Sequence, residues 1–176
     1  MTNEGFYVEE LDQVSVVAVA RRGARVEMGE EARERVGASR GRVEAMIEGS
    51  LPVYGVTTGF GALANTRIAA GQHLELQRSL LRSHAAGMGP FLQPEIVRAM
   101  MTIRARTLAA GYSGVRPELV DALMDFLNAG LIPAVPEHGS MGASGDLAPL
   151  AHIGLCLIGE GLMLEAGEPV QARKAL

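Results

Sequence analysis

The sequence predicts a mainly α chain, with minor β near the N-terminus and after residue 161. Segments 94–110 and 117–129 each open on a proline, Pro94 and Pro117, and close before a glycine, Gly111 and Gly130. That asymmetry brackets α-helices, because proline suits the first turn and glycine the left-handed residue after the last. Apolar residues recur at three- and four-residue steps over much of the chain. β-branched residues gather only in short stretches such as Val14, Val16 and Val17.

Taken in order, 15–26 reads as a short strand pair around Arg22–Gly23. Segment 30–47 reads as a helix with Ala32, Val36, Val43, Met46 and Ile47 on its apolar side and acids in its first turn, although Gly37 and Gly41 weaken it. Residues 49–71 break the pattern. Tyr54-Gly55-Val56-Thr57-Thr58-Gly59-Phe60-Gly61 is a glycine-dense loop, suited to unusual dihedrals or close backbone approach. A helix over 72–86 is stopped by Gly87-Met88-Gly89-Pro90. In 94–110 Ile96, Met100, Ile103 and Thr107 form one line, with Val97 and Leu108 beside it. In 117–129 Leu119, Val120, Leu123 and Leu127 face inward. A second odd loop, 138–145, leads through Asp146, a good N-cap residue, into an apolar helix carrying Leu150, Ile153, Leu157 and Ile158. Pro149 is tolerated in its first turn, Gly159 and Gly161 end it, and its composition predicts deep burial. A hairpin around Ala166–Gly167 follows.

Composition excludes several functions. The 176 residues suffice for one good core, and 20% charged residues with a net charge of −4 give no electrostatic footprint for nucleic acid or an anionic membrane. Basic residues are almost all arginine, scattered along the chain; Lys174 is the only lysine. No apolar stretch reaches the ~20 residues of a membrane span, and the N-terminus lacks the pattern of a signal peptide. Cys156, the only cysteine, lies in an apolar run and reads as a buried, inert thiol in a reducing, cytoplasmic setting. His73, His84, His138 and His152 show no paired ligand spacing, so no metal site is expected.

Both glycine-rich loops are flanked by apolar segments. The second opens a helix whose free N–H groups and dipole favour negative charge. Residues alone therefore suggest a backbone-lined electrophilic or anion-holding site, without naming a reaction.

Gly142-Ala143-Ser144-Gly145-Asp146-Leu147-Ala148-Pro149-Leu150-Ala151-His152 resembles the signature of the ammonia-lyases and aminomutases that build a methylidene-imidazolone (MIO) group from their own chain. The 54–61 loop is similar to the family's tyrosine loop, and Ser83-His84-Ala85-Ala86-Gly87 to its substrate-selecting segment. The three matches stand in family order and cover most of 50–160. The resemblance implies a helical domain of the ammonia-lyase type, with 1–176 as the N-terminal portion of a longer chain whose C-terminal helical bundle is not in this sequence. It implies an MIO formed autocatalytically from Ala143, Ser144 and Gly145, with no external cofactor. In that scheme the Gly145 nitrogen attacks the Ala143 carbonyl, the Ser144 hydroxyl leaves, and Asp146 assists proton removal. It further implies Tyr54 as base, Gly59 and Gly61 as points of close backbone approach, with Gly61 beside the substrate, and His84 at the substrate ring.

Plainer roles stand beside these: a loop hydroxyl for Ser144, a half-buried aromatic for Tyr54, a satisfied helix-end residue for His84. His152, on an apolar helix, reads as structural; Asn65 reads as a turn residue. His84 next to Ser83 is most similar to histidine ammonia-lyases. A histidine also serves a phenol, so tyrosine ammonia-lyase or tyrosine 2,3-aminomutase remains open. The expected partners are a small amino acid and either a homotetramer or a companion C-terminal chain; a catalytically incomplete, oligomerising scaffold is the alternative.

Overall fold

The computed structural model describes residues 5–139 and 143–175. Ser140, Met141 and Gly142, part of the second loop, lie outside the described residues. The chain is helical, with short β pairings at its edges. Strand β1 (Gly5–Tyr7) pairs in parallel with β2 (Arg25–Glu27), and between them runs helix α1 (Gln13–Arg22).

The expected strand pair over 15–26 is therefore corrected. Only 25–27 is strand, and the valine-rich stretch is helix. The cause is local. The Asp12 carboxylate accepts the Ser15 N–H at 2.8 Å while Ser15 Oγ accepts the Asp12 N–H at 2.7 Å, a reciprocal capping box. That nucleus, with Gly23 left-handed at φ 69° to end the helix, outweighs the modest β preference of three valines. The Ser15 bonds also hold the Asp12 carboxyl below its usual range.

Helix α2 (Glu30–Glu48) matches its prediction, but only Ala32 and Val36 are buried, and Met46 is largely exposed. Helix α3 (His73–His84) leads into strand β3 (Met88–Phe91). Helices α4 (Pro94–Ala109) and α5 (Pro117–Ala129) fall where their proline and glycine brackets put them, and Gly130 adopts φ 72°. The inward line of α4 is not the expected one. Val97, Met101, Ala105 and Leu108 are buried, whereas Ile96 and Ile103 are 43% and 53% exposed. Both lines step by the helical period, and small Ala105 allows the close approach that bulkier Ile103 does not. In α5, Val120, Leu123 and Leu127 are buried as expected.

The core is a three-helix stack, with α4 between α1 and α5. Arg98 lies within it and is buried. Its Nε and Nη2 donate to the Val19 carbonyl at 3.0 and 2.7 Å, and Nη1 to the Leu127 carbonyl at 2.9 Å. One guanidinium thus joins the C-terminal turns of α1 and α5, where helices leave carbonyls unpaired. Burial pushes its pKa down from the usual arginine value. Asn128 adds a second tie: its side chain pairs with both backbone groups of Val26 at 2.9 and 2.8 Å.

After α5 come β4 (Ile132–Pro133) and β5 (Pro136–His138), then helix α6 (Leu147–Leu157), the hairpin β6 (Leu162–Glu165) with β7 (Glu168–Gln171), and a final turn α7 (Ala172–Ala175). β4, β6 and β7 form a three-stranded antiparallel sheet, and β5 pairs with β3. Helix α6 is less deeply buried than predicted. Ala148, Pro149, Ala151, Ile153 and Cys156 are buried, but Leu147 is 57% and Ile158 39% exposed. One side packs on α3 and the sheet; the other faces outward.

Candidate active site

Tyr54 lies in the long connection between α2 and α3, which closes on itself. Thr57 Oγ1 accepts the Val53 N–H at 2.8 Å and donates to the Leu51 carbonyl at 3.2 Å. The Ile68 N–H reaches the Thr57 carbonyl at 2.9 Å, and the Gly59 N–H the Thr66 carbonyl at 3.1 Å. At the base Arg67 donates to the carbonyls of Ser50 and Gly49 at 3.1 and 3.0 Å, closing the loop onto the C-terminal end of α2. Asn65 is an exposed turn residue, as expected.

Tyr54 itself is 64% exposed, with its ring edge-on to Phe60 at 5.9 Å. The Gly61 N–H donates to its hydroxyl at 3.4 Å, and Gly61 sits at φ 54°. The loop thus points one backbone donor at the phenol oxygen.

His84 is the last residue of α3. Its Nδ1 lies 2.9 Å from the Leu80 carbonyl and 3.0 Å from Ser83 Oγ. A carbonyl can only accept, so Nδ1 carries the proton and, in the neutral ring, Nε2 is left as an acceptor. The half-buried ring is held by its own helix, and among the described residues its Nε2 has no hydrogen-bond partner.

Ala143, Ser144 and Gly145 form consecutive bends. Ala143 and Ser144 are exposed, Gly145 is half-buried, and Gly145 sits at φ 75°, the left-handed region that favours glycine. Among the described residues nothing hydrogen-bonds the Ser144 hydroxyl, so it is not committed to a cap. Asp146 occupies the N-cap position of α6, but its side chain makes no capping bond. Its backbone, at φ −119° and ψ 1°, lacks the extended conformation from which a cap carboxylate reaches back to the helix. The expected capping role is therefore corrected; its exposed carboxylate stands beside the triplet with no hydrogen-bond partner among the described residues.

The family model "Aromatic amino acid lyase" matches residues 11–176. The chain belongs to the aromatic amino acid lyase family. It is 55% identical over 146 residues to the histidine ammonia-lyase of Streptomyces griseus, covering 83% of this chain and 28% of that enzyme. Its structure is similar to that of the tyrosine aminomutase from Streptomyces globisporus, with a TM-score of 0.91 and 38% identity over 98% of this chain and 32% of the other. It is likewise similar to the histidine ammonia-lyase from Trypanosoma cruzi, with a TM-score of 0.86 and 34% identity over 98% and 33%. The chain thus spans about a third or less of these relatives' lengths.

In this lyase chain the structure joins two of the three matched segments. Helix α3, which ends on His84, packs against α6, which follows the triplet. Beyond His84 the Gly87 N–H donates to His152 Nε2 at 3.1 Å. The structural reading of His152 is consistent with this bond, but its partner lies 65 residues away and no local pattern signals it. No hydrogen bond links Tyr54 to the triplet among the described residues. Cys156 is buried, its thiol pushed up to about 12 by burial, and it donates to the Leu162 carbonyl. That suits an inert residue rather than a nucleophile. Among the described residues no group of three His, Cys, Asp or Glu side chains could hold a metal, and no helix is long and apolar enough to cross a membrane.

Proposed function

We propose that this chain contributes the electrophile-forming loop, the base and the ring-selecting histidine of a histidine ammonia-lyase, which converts L-histidine to trans-urocanate and ammonia. The observation that carries the reading is the Ala143–Ser144–Gly145 bend, with Ala143 and Ser144 exposed, immediately before Asp146 at the start of α6. Attack by the Gly145 nitrogen on the Ala143 carbonyl carbon forms the ring bond; that oxygen and the Ser144 hydroxyl depart as two waters. Asp146, free of capping duty, is the adjacent carboxylate to take a proton in these steps. The MIO fits these residues without further ligands; once formed, it supplies an electrophile that makes the substrate amine a leaving group.

The chain's own side chains do the rest. Tyr54 Oη, as the phenolate, removes the substrate β-proton and becomes the neutral phenol; the Gly61 N–H donates to that oxygen while it carries its charge, before the transfer. His84 Nε2 accepts the N–H of the substrate imidazole. The free N–H groups at the start of α6 offset negative charge near the triplet. Histidine ammonia-lyases about half identical to this chain support histidine as substrate. The 0.91 TM-score to tyrosine aminomutase keeps tyrosine as the second reading, since the same Nε2 would accept a phenol O–H. The reading carries with it a homotetramer or companion chain, and a cytoplasmic location.

The deciding experiment gives the complete enzyme L-histidine and L-tyrosine in turn. Ammonia with urocanate from histidine is the expected result. Turnover of tyrosine alone, to coumarate or β-tyrosine, would replace the histidine reading with the second one.

A further inference from the structure

We propose that His152 is a positioning residue that fixes the His84 segment to α6, the helix that follows Ser144, so that the His152 Nε2 acceptor governs how tightly the substrate ring is held. The inference rests on the lyase reading above.

Two contacts from α6 reach the polypeptide on either side of His84. On one side, Gly154 lets α3 approach, since a Cβ there would stand 2.7 Å from Leu81 Cδ2. On the other, His152 Nε2 takes the Gly87 N–H at 3.1 Å. Leu81 and Gly87 each lie three residues from His84, so α6 brackets the histidine with one packing contact and one directional bond. The Gly87 end is close-packed. A Cβ on Gly87 would meet His152 Nε2 at 3.0 Å and Pro136 Cβ at 3.1 Å, and one on Gly139 would meet Gly87 Cα at 3.0 Å and Ala148 Cβ at 3.3 Å. The residues following His84, strand β5 and the first turns of α6 therefore meet with no spare room, and the hydrogen bond sets their register. A backbone N–H can be accepted only by a ring nitrogen that lacks a proton. The Gly87 bond therefore marks Nε2 as the unprotonated nitrogen, and burial, which lowers the ring's pKa, favours the same state.

The test compares His152→Leu, His152→Gln and His152→Asn with wild type in the complete enzyme. Leucine keeps much of the volume and removes the acceptor. Glutamine carries an amide oxygen at similar reach; asparagine carries one that falls short. Each variant is assayed for the two-water mass loss, for Tm, and for kcat and KM with L-histidine, rates being expressed per site that has lost water. His152→Leu is expected to raise KM about ten-fold or more with a smaller effect on kcat, and His152→Gln to stay within about three-fold of wild type. A merely structural role would lower Tm and the yield of folded enzyme but leave KM per competent site unmoved. An unchanged KM in His152→Leu, or equal damage in His152→Gln, would overturn the proposal. Should the leucine variant not fold, His152→Asn takes its place: a raised KM relative to His152→Gln supports the proposal, and a KM equal to it overturns it. A wild type that neither loses two waters nor deaminates histidine overturns the lyase reading instead, and the role in substrate binding with it.

Discussion

Replacing Arg98 with leucine should cost about 3 kcal/mol of folding stability. The guanidinium makes three hydrogen bonds at 2.7–3.0 Å to carbonyls of two helices. Val19 is fully buried, and the Gly23 N–H that would be its i+4 donor goes to the Ala18 carbonyl instead. Its carbonyl would therefore lose its charged donor with no water to replace it, at about 1–3 kcal/mol. Leu127 is less exposed to the loss, because its carbonyl keeps a longer bond from the Gly130 N–H at 3.3 Å. Charged donors make the stronger bonds, about 1.5–3 kcal/mol each, but leucine also relieves the burial of a cation, which returns part of the sum. At about 2–4 °C per kcal/mol for a chain of this size, Tm should fall by about 6–12 °C. Urea unfolding should show a lower midpoint with an unchanged slope. Arg98→Lys, which lacks the planar fork, should recover less than half of the difference. A leucine variant within about 1 kcal/mol of wild type would refute the view that this guanidinium ties α1 to α5.

Other outcomes follow from the same structure. Gly111→Ala should destabilise by about 2–4 kcal/mol, because Gly111 sits at φ 82° and a Cβ would stand 2.9 Å from Arg35 Cβ and 3.1 Å from the Arg35 backbone carbon; calorimetry checks it. His84→Phe should lower kcat/KM for L-histidine by about ten-fold or more, since the substrate N–H then meets no acceptor, while phenylalanine turnover rises; competition assays report both. The buried Cys156 thiol, raised from 9.0 to about 12, ionises more readily in the unfolded chain, so stability should fall as pH rises from about 9 toward 12. Cys156→Ala should remove that part of the slope in urea titrations at several pH values.

How much of this was legible depended on whether the cause was local. The ends of α4 and α5 were, because proline at N1 and glycine at C′ act within one turn. The helical state of 13–22 was written in Asp12 and Ser15, yet three valines nearby suggested strand. The buried face of α4 was not legible, since the Ile96–Ile103 and Val97–Ala105 lines share the helical period and only the neighbouring helices choose between them. In the site, Tyr54 and the triplet stand in glycine-dense loops that composition singles out, while His84 and the roles of all three came from the family resemblance of contiguous segments. Their supports are remote or relational: Arg67 clasps carbonyls 17 and 18 residues back, and His152 reaches Gly87 across 65 residues. Asp146 shows the converse. Its residue type favours a cap, but the tight bend before it sets a backbone from which capping fails.

The central claim is that residues 143–145 form the electrophile, and intact mass measurement of the purified enzyme tests it most directly. A deficit of two waters, mapped to the peptide containing Ser144 and absent in Ser144→Ala, is the predicted result. A full, unmodified mass in a folded protein that nevertheless releases ammonia from histidine would contradict it.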